Sequence, residues 1–286
     1  MQPIIESGFP VKYNWKQVSP AGLSLKNSIS LRLMGRYWMC ATDMLRGGTV
    51  ILRLDTDGWK EHMLCFHGYT MMWAPYPYID ELGKLGIYCC DTAGGDSSHW
   101  WDFMRLYRHS VDLNNKTLGS LIPVQTPVDS HGLIDPALIQ IGEWWYLFYV
   151  DLWNAATQEW WDPCYSVSRS PFGPFVGNVN LQAPERGIDE ACKPFRGADG
   201  KLLVTWSSGD SGIGGSAYLG ELTATGQHAD GWLYFRINPK SQLQAAGSRL
   251  CTALDPGSWP SLRGTMRSSG YPSGDLRTGF YIGEMG

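Results

Sequence analysis

An all-β, five-bladed β-propeller of four-stranded antiparallel blades around a central channel is the fold the sequence predicts, on three observations. Short β-prone runs broken by Gly, Asp or Pro recur along the whole chain. Few stretches carry an apolar period of 3.6 residues with helix caps. Hairpin starts near Asn27, Trp73, Asp135 and Glu190, with a weaker one near Arg263, recur on the order of every 50–60 residues, the range of propellers and other arrays.

The first unit reads as a strand over 28–33, a turn at Met34-Gly35-Arg36 and a strand over 37–40, followed by a strand over 49–54 before Asp57-Gly58. The third is the clearest. Leu138-Ile139-Gln140-Ile141, then Gly142-Glu143, then the apolar run 144–150 reads as a hairpin closed by a tight Gly turn, with a further strand over 163–168. The fourth places a hairpin over 193–206 around Ala198-Asp199-Gly200, and a third strand over 216–222. Radial repetition of such sheets protects most of their edges, which suits a chain of many short strands. A two-sheet β-sandwich is the alternative architecture. No shift of composition marks a linker, so residues 1–286 read as one domain.

The charge balance is 23 Lys plus Arg against 27 Asp plus Glu, a formal −4, which argues against a nucleic-acid partner needing a basic face. With 43% hydrophobic residues the chain has ample core material. Its longest apolar stretch, 137–153, is broken by Gln140, Gly142, Glu143 and Asp151, so membrane insertion is not expected. The N-terminus lacks a basic segment followed by an apolar one, so no classical signal peptide is read, and a cytoplasmic place or one within a larger assembly is expected. Cysteines 40, 65, 89, 90, 164, 192 and 251 lack metal-finger spacing and read as reduced, mostly buried thiols.

In a propeller the innermost strands converge on the axis, so polar residues near their starts meet despite large sequence separation. Asp135 opens the third hairpin and Asp189-Glu190 the fourth, each a carboxylate before an apolar strand. Taken singly, Asp-Pro is an ordinary strand-entry pair and a Glu an ordinary exposed carboxylate.

In their order these segments resemble the five-bladed propeller glycosidases, glycoside hydrolase family 43 and its relatives. The resemblance rests on Trp73-Ala74-Pro75, on Ile134-Asp135-Pro136 followed by Trp145-Tyr146-Leu147-Phe148-Tyr149, on Ser168-Arg169-Ser170-Pro171-Phe172-Gly173-Pro174-Phe175, and on Glu190-Ala191 with its hairpin. It covers most of residues 27–220. It implies an oligo- or polysaccharide partner and three catalytic carboxylates: a base on the first blade, an Asp that tunes the acid, and an acid Glu. Asp135 takes the tuning role and Glu190 the acid role, because one carboxyl must hold a proton for the leaving oxygen and a neighbouring charge raises its pKa. Asp189 replaces Glu190 if the register is off by one.

The base position departs from the family, since Asn27 stands where it has Asp-Pro, and an amide cannot take a proton from water. Three explanations are open: another carboxylate such as Asp43 or Asp91 acts as base, the reaction differs, or the protein binds glycans without cleaving them. The mannoside phosphorylases of glycoside hydrolase family 130 resemble the chain in opening blade one with Asn, but Ala137 stands where they have Arg. Trp73 is the candidate sugar platform, and Asp189, Arg263 and His131 complete the substrate-binding set, Arg263 and His131 with an ion-pair or structural role as the plainer reading. The residues signal no cofactor and no metal ligands; some relatives hold a central Ca²⁺, which this sequence does not indicate.

Overall fold

The computed structural model describes residues 13–17, 23, 25–43, 45–65, 72–92, 103–128, 132–152, 162–181, 189–196, 200–208, 216–238, 241–243, 254–255, 265–270 and 279–285. Strand β1 (Tyr13–Gln17) comes first in the chain. Blade one is the antiparallel sheet β2 (Leu25–Leu33), β3 (Arg36–Asp43), β4 (Gly48–Asp55) and β5 (Gly58–Cys65), in that order. Blade two holds β6 (Met72–Ile79), β7 (Leu85–Asp91), β8 (Arg105–Asp112), a short β9 (Thr117–Leu118) beside β8, and β10 (Ile122–Pro123). Blade three is β11 (Leu133–Ile141), β12 (Trp144–Asp151), β13 (Asp162–Ser168) and β14 (Val176–Asn180). Blade four is β15 (Asp189–Arg196), β16 (Leu202–Ser208), β17 (Ser216–Gln227) and β18 (Leu233–Ile237), with β19 (Ser241–Leu243) added on β17. Finally β20 (Leu254–Asp255), β21 (Thr265–Gly270) and β22 (Gly279–Met285) form a sheet with β1, in the order β1-β22-β21-β20.

The fold is thus an all-β propeller with antiparallel, four-stranded blades. Among the described residues, four blades are consecutive in sequence, not five. The remaining sheet is no local meander, because β1 is drawn in from far upstream to pair with β22, Tyr13 opposite Met285 and Gln17 opposite Tyr281. Pairing across that separation leaves no turn signal in the sequence. Arg263, where the sequence predicts a last hairpin, lies outside the described residues.

Local chemistry accounts for the hairpins. The β2–β3 turn puts Met34 at φ 52° and Gly35 at φ 72°, the doubly left-handed pair that matches strand twist in a two-residue loop. Gly142, at φ 62°, supplies the single left-handed residue of the two-residue turn between β11 and β12. Middle strands lie between neighbouring blades and are buried on both faces, so β7 is buried at every residue and the run Tyr146–Asp151 of β12 likewise.

The core is a set of layers between blades. Trp38, Cys40 and Ile51 of blade one meet Ile87, Cys89 and Val111 of blade two. Tyr88, Cys90 and Leu106 then meet Leu138, Leu147 and Tyr149. Tyr146, Phe148 and Tyr165 meet Val204, Trp206 and Phe235. Strand β2 also packs on β20, β21 and β22, and β16 on β20. Among the described residues no helix is long and apolar enough to cross a membrane.

Cys40, Cys65, Cys89, Cys90, Cys164 and Cys192 carry buried thiols and form no disulfide among the described residues; Cys251 lies outside the described residues. Burial pushes the thiols of Cys40, Cys89, Cys90 and Cys164 above their ordinary value, and that of Cys65 up to about 12. The folded chain therefore keeps protons that the unfolded chain releases near pH 9.0, the ordinary thiol value. Their contribution is complete below pH 9 and drains away above it, each thiol adding a slope of about 1.4 kcal/mol per pH unit. An alkaline titration should show cooperative unfolding above pH 9, with thiolate absorbance at 240 nm rising together with loss of the circular dichroism signal. Thiolate absorbance well ahead of unfolding would contradict it.

Candidate axial site

The innermost strands β2, β6, β11 and β15 lie side by side, each packed on the next. All four break their ladder at the same step. The register jumps between Lys26 and Ile29, Trp73 and Tyr76, Ile134 and Ala137, and Glu190 and Lys193. At each jump two residues oppose one across the strand, which defines a β-bulge. Asn27, Ala74, Asp135 and Ala191 are therefore equivalent first bulge positions, and Trp73, Ile134 and Glu190 are equivalent to one another one step earlier. Bulges bend a strand and re-aim its side chains, so the repeat builds one level of special backbone around the axis.

Two of these residues are held with left-handed backbone, Ala74 at φ 49° and Asp135 at φ 55°. Such a conformation costs a non-glycine residue roughly 1–2 kcal/mol and persists only where neighbours hold it. The preceding blade supplies the hold. Thr42 Oγ1, buried near the end of β3, accepts the Ala74 N–H at 3.0 Å. At the matching place near the end of β7, Cys90 meets the Asp135 N–H, and its Sγ donates to the Trp73 carbonyl at 3.3 Å. Thr42→Val keeps the shape but leaves a buried N–H unpaired, and is expected to cost about 1–3 kcal/mol in urea unfolding. A variant as stable as the parent would deny this latch.

One step past the bulges stand Ile29, Tyr76, Ala137 and Lys193. Tyr76 packs on Ile29 and on the clusters between blades two and three and between blades three and four, and the Lys193 ammonium lies 5.6 Å from the centre of its ring. These side chains gather beneath the bulge level, with Asp135 only 5% exposed and Lys193 3%.

The sequence-predicted residues sort as follows. Asp135 and Trp73 sit at the bulge level, Trp73 partly buried against the interface of blades two and three. Asn27, Asp189 and Glu190 are placed by backbone register on β2 and β15, with Glu190 opposite Ser207 and Asp189 opposite Ser208. His131 and Arg263 lie outside the described residues. Of the alternative bases, Asp43 is committed elsewhere: its carboxylate accepts from the Leu45 N–H at 3.0 Å and from Arg46 Nε at 2.5 Å, closing the β3–β4 turn. Asp91 is fully buried at the end of β7. Among the described residues no three His, Cys, Asp or Glu side chains are gathered to hold a metal ion.

Sequence reasoning missed Lys193. Its Nζ donates to the carbonyls of Pro136 at 3.0 Å and Asp135 at 3.4 Å. Burial lowers its pKa, against the pull of the Asp135 charge. A buried lysine right after the fourth inner bulge was visible as a residue, but only the register shows what it faces.

No family model and no curated protein matches the chain. Solved structures do match in shape. The chain superposes on an α-L-arabinofuranosidase from Lactobacillus brevis with a TM-score of 0.68 at 13% identity, over 93% of this chain and 92% of that one. An exo-1,5-α-L-arabinanase from a bovine ruminal metagenomic library gives 0.52 at 14% identity, over 75% and 79%. An α-L-arabinanase from Cellvibrio cellulosa, solved with arabinohexaose, gives 0.53 at 12% identity, over 74% and 76%. The chain shares the propeller fold of these enzymes.

Proposed function

We propose that the chain, as one domain, is a glycoside hydrolase-like protein acting on an oligo- or polysaccharide in the axial pocket, with Glu190 as general acid and Asp135 as the carboxylate that tunes it. The sheet of β1 and β20–β22 serves as a fifth blade, a reading supported by its packing on β2 on one side and on β16 on the other. The observation that carries the proposal is the shared bulge level, at which Asp135 and the backbone of Glu190 occupy neighbouring inner strands. A glycosidic oxygen must be protonated as its bond breaks, and a nearby carboxylate favours the protonated form of the acid. Trp73, one step before its own bulge, offers an aromatic face for a sugar ring. Paired carboxyls need no cofactor for this reaction.

A second reading has its own observation. Asn27 is the register equivalent of Asp135 in blade one, and an amide there supplies no base. A glycan-binding propeller that does not hydrolyse fits that residue. Incubation with arabino-oligosaccharides separates the two: new reducing ends support hydrolysis, whereas saturable binding in calorimetry with no reducing ends supports binding. Neither binding nor release across arabinan, xylan and mannan fragments would sink both.

A further inference from the structure

We propose that Lys193 is the positioning residue of the axial site: from blade four it grips the two backbone carbonyls freed by the Asp135 bulge of blade three, and so sets how the Asp135 carboxyl is presented. The inference rests on the reading of Asp135 as a site residue. The bulge takes Asp135 and Pro136 out of the β11–β12 ladder between Ile134 and Ala137. Buried carbonyls removed from a ladder need new donors. A single ammonium supplies both, at 3.4 Å to Asp135 and 3.0 Å to Pro136. The Ala74 bulge, which carries no carboxylate, has its N–H caught by Thr42; the carboxylate-bearing bulge has its N–H caught by Cys90 and its carbonyls by Lys193. Asp135 is thus fixed from both neighbouring blades.

The groups that face the ammonium are the Asp135 carboxylate on β11, the Cys90 thiol on β7, the Cys192 thiol on its own strand and the Tyr76 ring on β6. Burial works against the charge on Lys193, and the Asp135 charge supports it most among the neighbours. The aromatic face adds a further cation contact. Carboxylate and ammonium then form one unit, in which the lysine orients the backbone and its charge acts on the acid that it orients.

The test uses the whole chain and Lys193→Met, which keeps length and removes the donor. Asp135 Cα and Cβ chemical shifts report its left-handed backbone; they are expected to move toward ordinary strand values in the variant, and unchanged shifts would overturn the proposal. With arabino-oligosaccharides as probe, whose alkoxide leaving group needs the tuned acid, kcat is expected to fall by roughly 10²-fold with little change in KM, the signature of a displaced acid-tuning carboxyl. The pH profile of kcat should shift as well; a parental kcat and profile would also overturn the proposal. If the parent chain turns over none of this probe, the hydrolase reading fails for it, while the Asp135 shifts still decide the role of Lys193. Should Lys193→Met not fold, the parent protein decides. A gripped ammonium shows a slowly exchanging Nζ proton signal at neutral pH with contacts to the Tyr76 ring, and a rapidly exchanging one refutes the grip.

Discussion

Glu190→Gln is expected to lower kcat on arabino-oligosaccharides by about 10²–10⁴-fold, the range removed with a general acid. The amide keeps the size of the carboxyl and loses its proton, so folding should be unaffected. The loss should depend on the leaving group. A nitrophenolate departs with little protonation, whereas a sugar alkoxide does not, so the variant should retain more activity on the aryl substrate than on the oligosaccharide. A drop of equal size on both would point to damage in binding rather than to a missing proton. Asp189→Asn is the register control: with Glu190 as the acid it should be the milder variant, and reversed severity would transfer the role to Asp189. Unchanged turnover in Glu190→Gln would remove that residue from the mechanism.

Tyr165→Ala is expected to be the most damaging core substitution, at about 4–6 kcal/mol, or on the order of 10–20 °C in thermal midpoint. Two effects add. Tyr165 is fully buried between blades three and four, with ring centroids 5.4 Å from Phe148, 5.7 Å from Tyr146 and 6.2 Å from Phe235. Removing the ring empties that layer. Its hydroxyl also accepts the buried Phe235 N–H at 3.0 Å, and that donor would be stranded. Tyr165→Phe isolates the second effect and should cost about 1–3 kcal/mol. If Phe and Ala destabilise equally in chemical unfolding, packing is not what the ring contributes.

Hairpins were readable from the residues because their signals are local. Met34-Gly35 and Gly142-Glu143 sit where turns must, between runs of strand-forming residues, and the described strands follow those boundaries. The inner-strand starts near Asn27, Trp73, Asp135 and Glu190 were readable for the same reason. What could not be read was set by partners far away in sequence. The pairing of β1 with β22 has no local mark, so the composition of the last sheet could not be read from the residues. Ala74-Pro75 and Asp135-Pro136 look like plain strand entries, and only the register against Cys90 and Tyr88, or Val150 and Phe148, exposes them as bulges. Lys193 reads as a polar residue between Cys192 and Pro194, and its role follows from carbonyls nearly sixty residues upstream. Asp43 and Asp91 passed as spare acids because burial at a strand end is invisible in composition.

The union of β1 with β22 has a consequence for biosynthesis. β1 is synthesised long before its partner β22, so at 5–20 residues per second the nascent chain carries an unmated strand for roughly tens of seconds. Blades one to four can mature meanwhile, each from contiguous sequence. Pairing of β1 waits until β22 has been made, and ribosome stalling before that point should yield a protease-sensitive intermediate whose unpaired strand invites pairing with a sister chain.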